Sequence, residues 1–455
     1  MIGPSLPTEL AFIVQPGNSI PGRTVSPAVQ VAIRDATGST VPTATNAVTV
    51  TLGLNTRGAT LSGTTSVNAV RGIATFTDLG IDRPGTGYSM LAKSVALAGA
   101  RSATFDISLT FGSVSVGANH SCAVTTDGAG YCWGNDVGGR LGTGTQIFRS
   151  TPAMVLGGLT FAAVSAGGDH SCGVATGGVG YCWGANFRGF LGDGTTSDRT
   201  SPSAVLGGLS FSSISAGFTH NCGATTTRLA YCWGNGGRLG DGTTAPRTSP
   251  AAVLGGMSFT AVSAGAAHSC AITTEGAAYC WGFNFQGLLG DGTTSDRTRP
   301  AAVVGGLTFA AVSAGSQHSC GVTTAGKGYC WGGNFWGQLG DRTRGSSASP
   351  VAVAGGFEFR SVFAGDRHSC GLTGNGNAYC WGDNANGQLG DGTARSSTSP
   401  VAVLGGLRFA AISVGEKHSC GLTPEGAIYC WGYNEFGQLG DGSNFDRSIP
   451  VLVVP

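Results

Sequence analysis

One short pattern recurs seven times and leaves few folds open to this chain. It begins at a histidine: His120, His170, His220, His268, His318, His368 and His418, at steps of 50, 50, 48, 50, 50 and 50 residues. A cysteine follows two residues after each, and a second comes ten residues later. The pairs are Cys122 with Cys132, Cys172 with Cys182, Cys222 with Cys232, Cys270 with Cys280, Cys320 with Cys330, Cys370 with Cys380 and Cys420 with Cys430. Tryptophan follows each second cysteine, from Trp133 to Trp431, and no histidine or cysteine lies outside the pattern. A constant period near 50 residues marks an array of like units that bury their apolar faces against one another.

One unit reads as four strands. Residues 159–166, Ser171–Thr176, Gly180–Gly184 and Pro202–Leu206 are short β-rich runs separated by glycine turns, and no segment keeps a helical period. Seven four-stranded units predict a seven-bladed β-propeller over residues 109–455. The Gly207-Gly208 turn is expected to join the fourth strand of one repeat to the first of the next as a hairpin. Each blade would then mix two repeats, with the third strand outermost. On that expectation the chain's last strand, 450–454, closes the ring by joining the first blade, and deleting 450–455 destabilises the whole propeller.

The fullest repeat runs Gly415-Glu416-Lys417-His418-Ser419, then Tyr429, Trp431-Gly432-Tyr433-Asn434-Glu435-Phe436-Gly437-Gln438-Leu439-Gly440. This resembles the regulator-of-chromosome-condensation repeat family. The resemblance covers about 109–455 and implies a seven-bladed propeller. It leaves function open, because that family includes an exchange factor, a plant ultraviolet receptor and secreted bacterial enzyme inhibitors. The ultraviolet role rests on tryptophans beside the turn histidines, and none of the turn pairs here, such as Ala118-Asn119 or Glu416-Lys417, contains one. The near-constant spacing leaves no room for the inserted wedge of the exchange factor.

In the hairpin of the second and third strands, residues whose numbers sum to 254 oppose one another in the first repeat. Cys122 then faces Cys132 across a turn at Asp127-Gly128, and seven cross-strand disulfides are expected, one per blade. Such regular pairing implies an oxidising compartment, hence an extracellular or cell-surface location. A zinc reading of His-x-Cys…Cys finds only three ligands per unit, where structural zinc takes four. The histidines are read as turn anchors. The aspartates of Leu-Gly-Asp-Gly-Thr, such as Asp193 and Asp441, are read as turn formers, since calcium needs six to eight oxygens. No metal, cofactor or catalytic residue is expected.

Residues 1–108 contain no cysteine, histidine or tryptophan. Seven runs with alternation, including Val29–Arg34 and an unbroken 67–78, predict an immunoglobulin-like β-sandwich. Leu10–Pro16, Gly72–Leu79 and Gly85–Tyr88 resemble bacterial immunoglobulin-like domains of exported proteins. The opening Met1–Pro7 has no signal-peptide character, which leaves a cytosolic chain or one whose leader is gone.

The fold class expected is therefore all-β, a sandwich followed by a propeller. The net charge of +1, with charged residues at 11%, gives no electrostatic case for nucleic acid, and no stretch is long and apolar enough to span a membrane as a helix. Strand parity puts the first-to-second turns and the long third-to-fourth loops on one face. That face carries Phe445 and nine aromatics read as partner-binding candidates: Phe187, Phe190, Phe218, Phe283, Phe285, Phe335, Trp336, Tyr433 and Phe436. Aromatics on variable loops are the residue type that dominates binding hot spots. The function expected is an exported, non-enzymatic protein-binding or adhesion scaffold whose partner is a protein, a surface glycan or a copy of itself. A structural subunit of an extracellular polymer and a secreted enzyme inhibitor are the alternatives.

Overall fold

A computed structural model describes residues 6–54 and 58–454; Met1–Ser5, most of the opening segment read for a leader, and Pro455 lie outside the described residues. Two compact units divide between Thr110 and Phe111. The described residues form strands joined by turns, with two short 3-10 turns and no α-helix.

In the N-terminal unit one sheet pairs Glu9–Val14, Val29–Arg34 and Ile73–Phe76. A second runs in the order Ala100–Arg101, Met90–Lys93, Ala47–Leu52, Ser66–Asn68. Inward residues of both sheets, among them Val31, Ile33, Val48, Val50, Phe76 and Met90, share one core. The run 67–78 is not one strand. It breaks at Arg71 and Gly72, whose φ of 53° and 77° turn the chain between Asn68 and Ile73.

The second unit holds seven four-stranded antiparallel sheets, each built from one repeat in strand order. The first blade is Phe111–Val116, His120–Thr125, Gly130–Gly134 and Arg149–Met154. The first strands end around a narrow central channel, to which all seven repeats contribute, from Val116-Gly117-Ala118 to Val414-Gly415-Glu416. The fourth strand is therefore outermost.

This corrects the expected blade boundary. Arg447–Leu452 pairs with Ile428–Gly432 of its own repeat, not with the first blade. The two glycines expected to close a hairpin, Gly207 at φ 102° and Gly208 at φ 62°, do not close one. They send the chain from one blade's outer edge back to the next blade's inner strand. The ring is closed by side chains and by a loop. Ser121 Oγ lies 2.9 Å from His418 Nε2, Trp133 Nε1 donates to the Gln438 carbonyl at 2.9 Å, and Gly442 N donates to the Ser150 carbonyl at 2.9 Å.

All fourteen cysteines are paired as their spacing predicts, one disulfide to each blade. Cys122 joins Cys132, Cys172 joins Cys182, Cys222 joins Cys232 and Cys270 joins Cys280. Cys320 joins Cys330, Cys370 joins Cys380 and Cys420 joins Cys430. The Cα atoms of Cys122 and Cys132 are 4.0 Å apart, as the directly opposed register requires. Each bridge is fully buried and packs on the next blade. Cys122, Cys132 and Leu141 meet Phe161 and Trp183, and the same set recurs as Cys370, Cys380 and Leu389 against Phe409 and Trp431. The third strand, expected to be outermost, lies inside the fourth, so the bridge sits in an interblade core away from the blade's outer edge.

The repeated Leu-Gly has a steric cause. At Gly142, φ is 71° and a Cβ would lie 2.8 Å from the Trp183 ring, so the loop can lie across the indole only with glycine there.

Candidate functional site

The blade interfaces form a continuous side-chain belt. Each histidine Nε2 contacts the residue after the next blade's histidine. The distances are 2.7 Å for His120–Ser171, His170–Asn221, His220–Ser269 and His318–Ser369, 2.6 Å for His268–Ser319, 2.8 Å for His368–Ser419 and 2.9 Å for His418–Ser121. Each serine hydroxyl in turn donates to a loop carbonyl of the preceding repeat, as Ser171 does to Arg140 at 2.9 Å and Ser369 to Gln338 at 2.8 Å. A hydroxyl has one proton, so it can only accept from the histidine. The seven rings are therefore neutral Nε2–H tautomers, and Asn221, which accepts through Oδ1, obeys the same rule. Burial holds all seven below the ordinary histidine range, to about 4 at His268 and about 3 at His318, His368 and His418, while at His170 the Asn221 bond opposes it. A buried, neutral belt of this kind joins each blade to the next. The expected role as a turn anchor needs correcting: the turn is held by backbone, Gly117 N to the His120 carbonyl, while the side chain reaches the neighbouring blade.

The Leu-Gly-Asp aspartates are part of the loop frame. Asp193 Oδ2 accepts Arg199 Nε at 2.9 Å, and its other oxygen accepts Asn186 Nδ2 and the Thr195 backbone; Asp241, Asp291 and Asp441 also pair with the arginine six residues on. No cluster of three or more metal-ligating side chains occurs among the described residues.

The remaining expected site residues are the aromatics of the loop face. Of the nine aromatics expected there, Phe190 does not reach solvent. It is buried against the His170 ring, 5.6 Å between centroids, and its carbonyl accepts Trp233 Nε1 and Asn221 Nδ2. The position before the repeated leucine points into the blade interface, which explains the error. Phe218 flanks the channel mouth, and Phe187 stands alone at 68% exposure beneath the Arg188 guanidinium.

The other six gather into three groups, each with a cation that the sequence reading passed over. Phe283 carries Arg238 at 4.9 Å and neighbours the exposed Phe285 around a hollow of about 520 Å³. Phe335 meets Trp336 edge-on at 5.1 Å, with Arg367 over the indole at 5.6 Å. Tyr433 and Phe436 lie 6.3 Å apart under Lys417, and Phe436 also touches Phe148, a residue the sequence reading missed, at 5.4 Å. The available signal was the basic residue at a turn or loop tip next to each aromatic. A cation over a ring is favourable, and it keeps the ring presented and not collapsed inward.

The channel mouth itself is acidic. Burial pushes the Asp366 carboxyl up, with Arg367 opposing, and Glu416 is raised by burial and then by Asp366.

A seven-bladed ring whose interfaces are tied by histidine, serine and tryptophan, and whose one face carries loop aromatics, defines a repeat propeller of the scaffold type. The sequence matches the Regulator of chromosome condensation (RCC1) repeat over 127–174, 229–272, 275–322, 325–372, 375–422 and 425–455, and the chain belongs to that family. A second model of the same repeat matches six segments between 113 and 438. Solved structures share the fold. Yeast RCC1 (Prp20) bound to Kap60 aligns at TM-score 0.64 and 20% identity over 76% of this chain and 85% of its own. Human WBSCR16 aligns at 0.65 and 20%, over 71% of this chain and 94% of its own. No curated protein matches the sequence.

Proposed function

We propose that the chain is an exported, non-enzymatic scaffold that binds a protein partner through the propeller's loop face, with the N-terminal unit serving as an immunoglobulin-like spacer. The observation that carries this reading is the repeated pairing of a loop aromatic with a cation on one face of a rigid ring. Aromatic and arginine side chains dominate interface energetics, and here they stand on loops framed by buried hydrogen bonds. Seven buried disulfides fit an oxidising environment and therefore export. The yeast RCC1 (Prp20) structure bound to Kap60 is an instance of this fold in a protein complex.

The test uses the full chain and its own extracellular milieu. Trp336→Ala and Phe285→Ala are expected to abolish capture of a saturable protein partner while leaving the melting temperature within about 2 °C of wild type. Unchanged capture by both variants would overturn the site. Recovery of the native protein only from reducing compartments, with free thiols, would overturn the export.

A further inference from the structure

Arginine occupies the same loop position, just before the repeated leucine, in two repeats only: Arg140 and Arg238. Their surroundings differ in one decisive respect. Arg140 is buried and satisfied. Its Nη2 forms an ion pair with Asp169 at 2.9 Å, Nη1 donates to the Gly168 carbonyl at 3.2 Å, and Nε donates to Val137 at 3.0 Å. Asp169 is the residue before His170. At the matching place in front of Arg238, before His268, stands Ala267.

Arg238 keeps a bond to Thr219 and lies over the Phe283 ring, but its Nε is buried without a partner. Arg188 on the neighbouring loop bonds only Asn235, so neither arginine has a carboxylate partner among the described residues. Two adjacent like charges without a carboxylate are unfavourable, and an anion beside them would relieve the repulsion.

The sequence also makes the room. The step of 48 residues arises here: Trp233 is six residues from Leu239, against eight from Trp183 to Leu191. The two missing residues are the loop tip that elsewhere reads Phe187-Arg188 or Phe285-Gln286. Without it the loop face is notched, and the hollow of about 520 Å³ opens between Arg238, Ala267, Phe283, Phe285, Gln286 and Gln317. That volume suits a few side chains. The exposed Phe285, with Phe335 on the next loop, extends the apolar surface beyond the hollow, farther than a small free acid would cover.

We propose that this notch receives an acidic–apolar peptide segment of a partner. An aspartate or glutamate of the segment docks on Arg238 where Asp169 docks on Arg140, and an adjacent apolar side chain seats on Phe283 and Phe285. The planar guanidinium can donate to a carboxylate while keeping its bond to Thr219, a geometry that a lysine ammonium cannot reproduce. This rests on the loop face being a recognition surface and names the chemistry that it recognises.

The full chain is applied to an array of decapeptides in which apolar residues adjoin Asp or Glu, each beside its Asn or Gln counterpart. Acidic members are expected to bind at least tenfold more tightly than their amide counterparts. Arg238→Lys should remove that preference. Ala267→Asp should remove it too, because it rebuilds the internal ion pair of Arg140 and fills the site with the protein's own carboxylate, without lowering the melting temperature. Equal binding of acids and amides, no binding at all, or an acid preference that survives both substitutions overturns the proposal. So does competition by free glutarate as strong as the best peptide. Partner capture that still depends on Trp336 but not on Arg238 would remove this pocket and leave the broader reading standing.

Discussion

His170 Nε2 and Asn221 Oδ1 meet at 2.7 Å in the one blade interface where asparagine replaces the serine of the other six. The amide does the hydroxyl's two tasks: it accepts from the histidine and donates through Nδ2 to the Phe190 carbonyl. Asn221→Ser is therefore expected to be nearly neutral, while Asn221→Ala strands both partners in a dry interface and costs about 1–3 kcal/mol. Equilibrium denaturation of the two variants checks this, and equal stabilities would refute the belt as an energetic element.

The belt predicts acid sensitivity of a definite sign. The histidines are held below their ordinary value of 6.5, so the unfolded chain binds protons that the native chain refuses. Their contribution is complete above about pH 6.5 and is lost as pH falls toward the folded values, about 4 for His268 and about 3 for His318. Asp136, Asp366 and Glu416, raised by burial, run the other way, losing their contribution as pH rises. The expected result is a melting temperature that drops from pH 7 to 5, with several protons taken up on unfolding. Calorimetry across that range measures the uptake, and a value of one or less would contradict the neutral belt.

The indoles offer an internally controlled comparison. Trp133 Nε1 donates to the Gln438 carbonyl at 2.9 Å, whereas Trp183 Nε1 is buried without a partner. Tryptophan-to-phenylalanine leaves a similar void at both sites. The Trp133→Phe variant should nonetheless be less stable than Trp183→Phe by about 1 kcal/mol, the net worth of one hydrogen bond. Because Trp133 and Gln438 span the ring closure, the same variant should unfold faster.

Each disulfide closes a ten-residue hairpin, for which chain-entropy arguments give about 2–3 kcal/mol. The double variant Cys320→Ala, Cys330→Ala should lose that amount, plus a packing term at Trp381, and keep the fold. Thermal melts under non-reducing conditions read the loss, and an unchanged midpoint would show that the bridge contributes nothing.

The propeller was legible because its evidence is repeated: seven Cys-Trp pairs, seven histidines and one register gave the strand pairing and the bridges. The blade boundary departs from expectation at Gly207-Gly208, where a two-glycine turn looks like a hairpin but carries the chain from one blade's outer edge to the next blade's inner strand. A better signal was present. Every fourth strand carries a proline, from Pro152 to Pro450, and a residue without an N–H belongs on an unpaired edge. The histidine's partner lies 51 residues away in the next repeat, so no single repeat could reveal it. The break at Arg71-Gly72 had one signal, Gly72, since an isolated glycine in a strand pattern marks a turn or bulge, while the positive φ of Arg71 had none. Among the loop aromatics, Phe187, Phe285 and Phe335 are exposed while Phe190 is buried, a difference set by the neighbouring loop and blade that no single repeat records.

Because each cysteine finds its partner ten residues away across a single tight turn, correct pairing never depends on the finished ring. What looks like a fourteen-cysteine sorting problem separates into seven local choices, each settled as soon as its own hairpin forms. Errors in oxidation would stay confined to one blade, and a whole repeat could be gained or lost without orphaning a single sulfur.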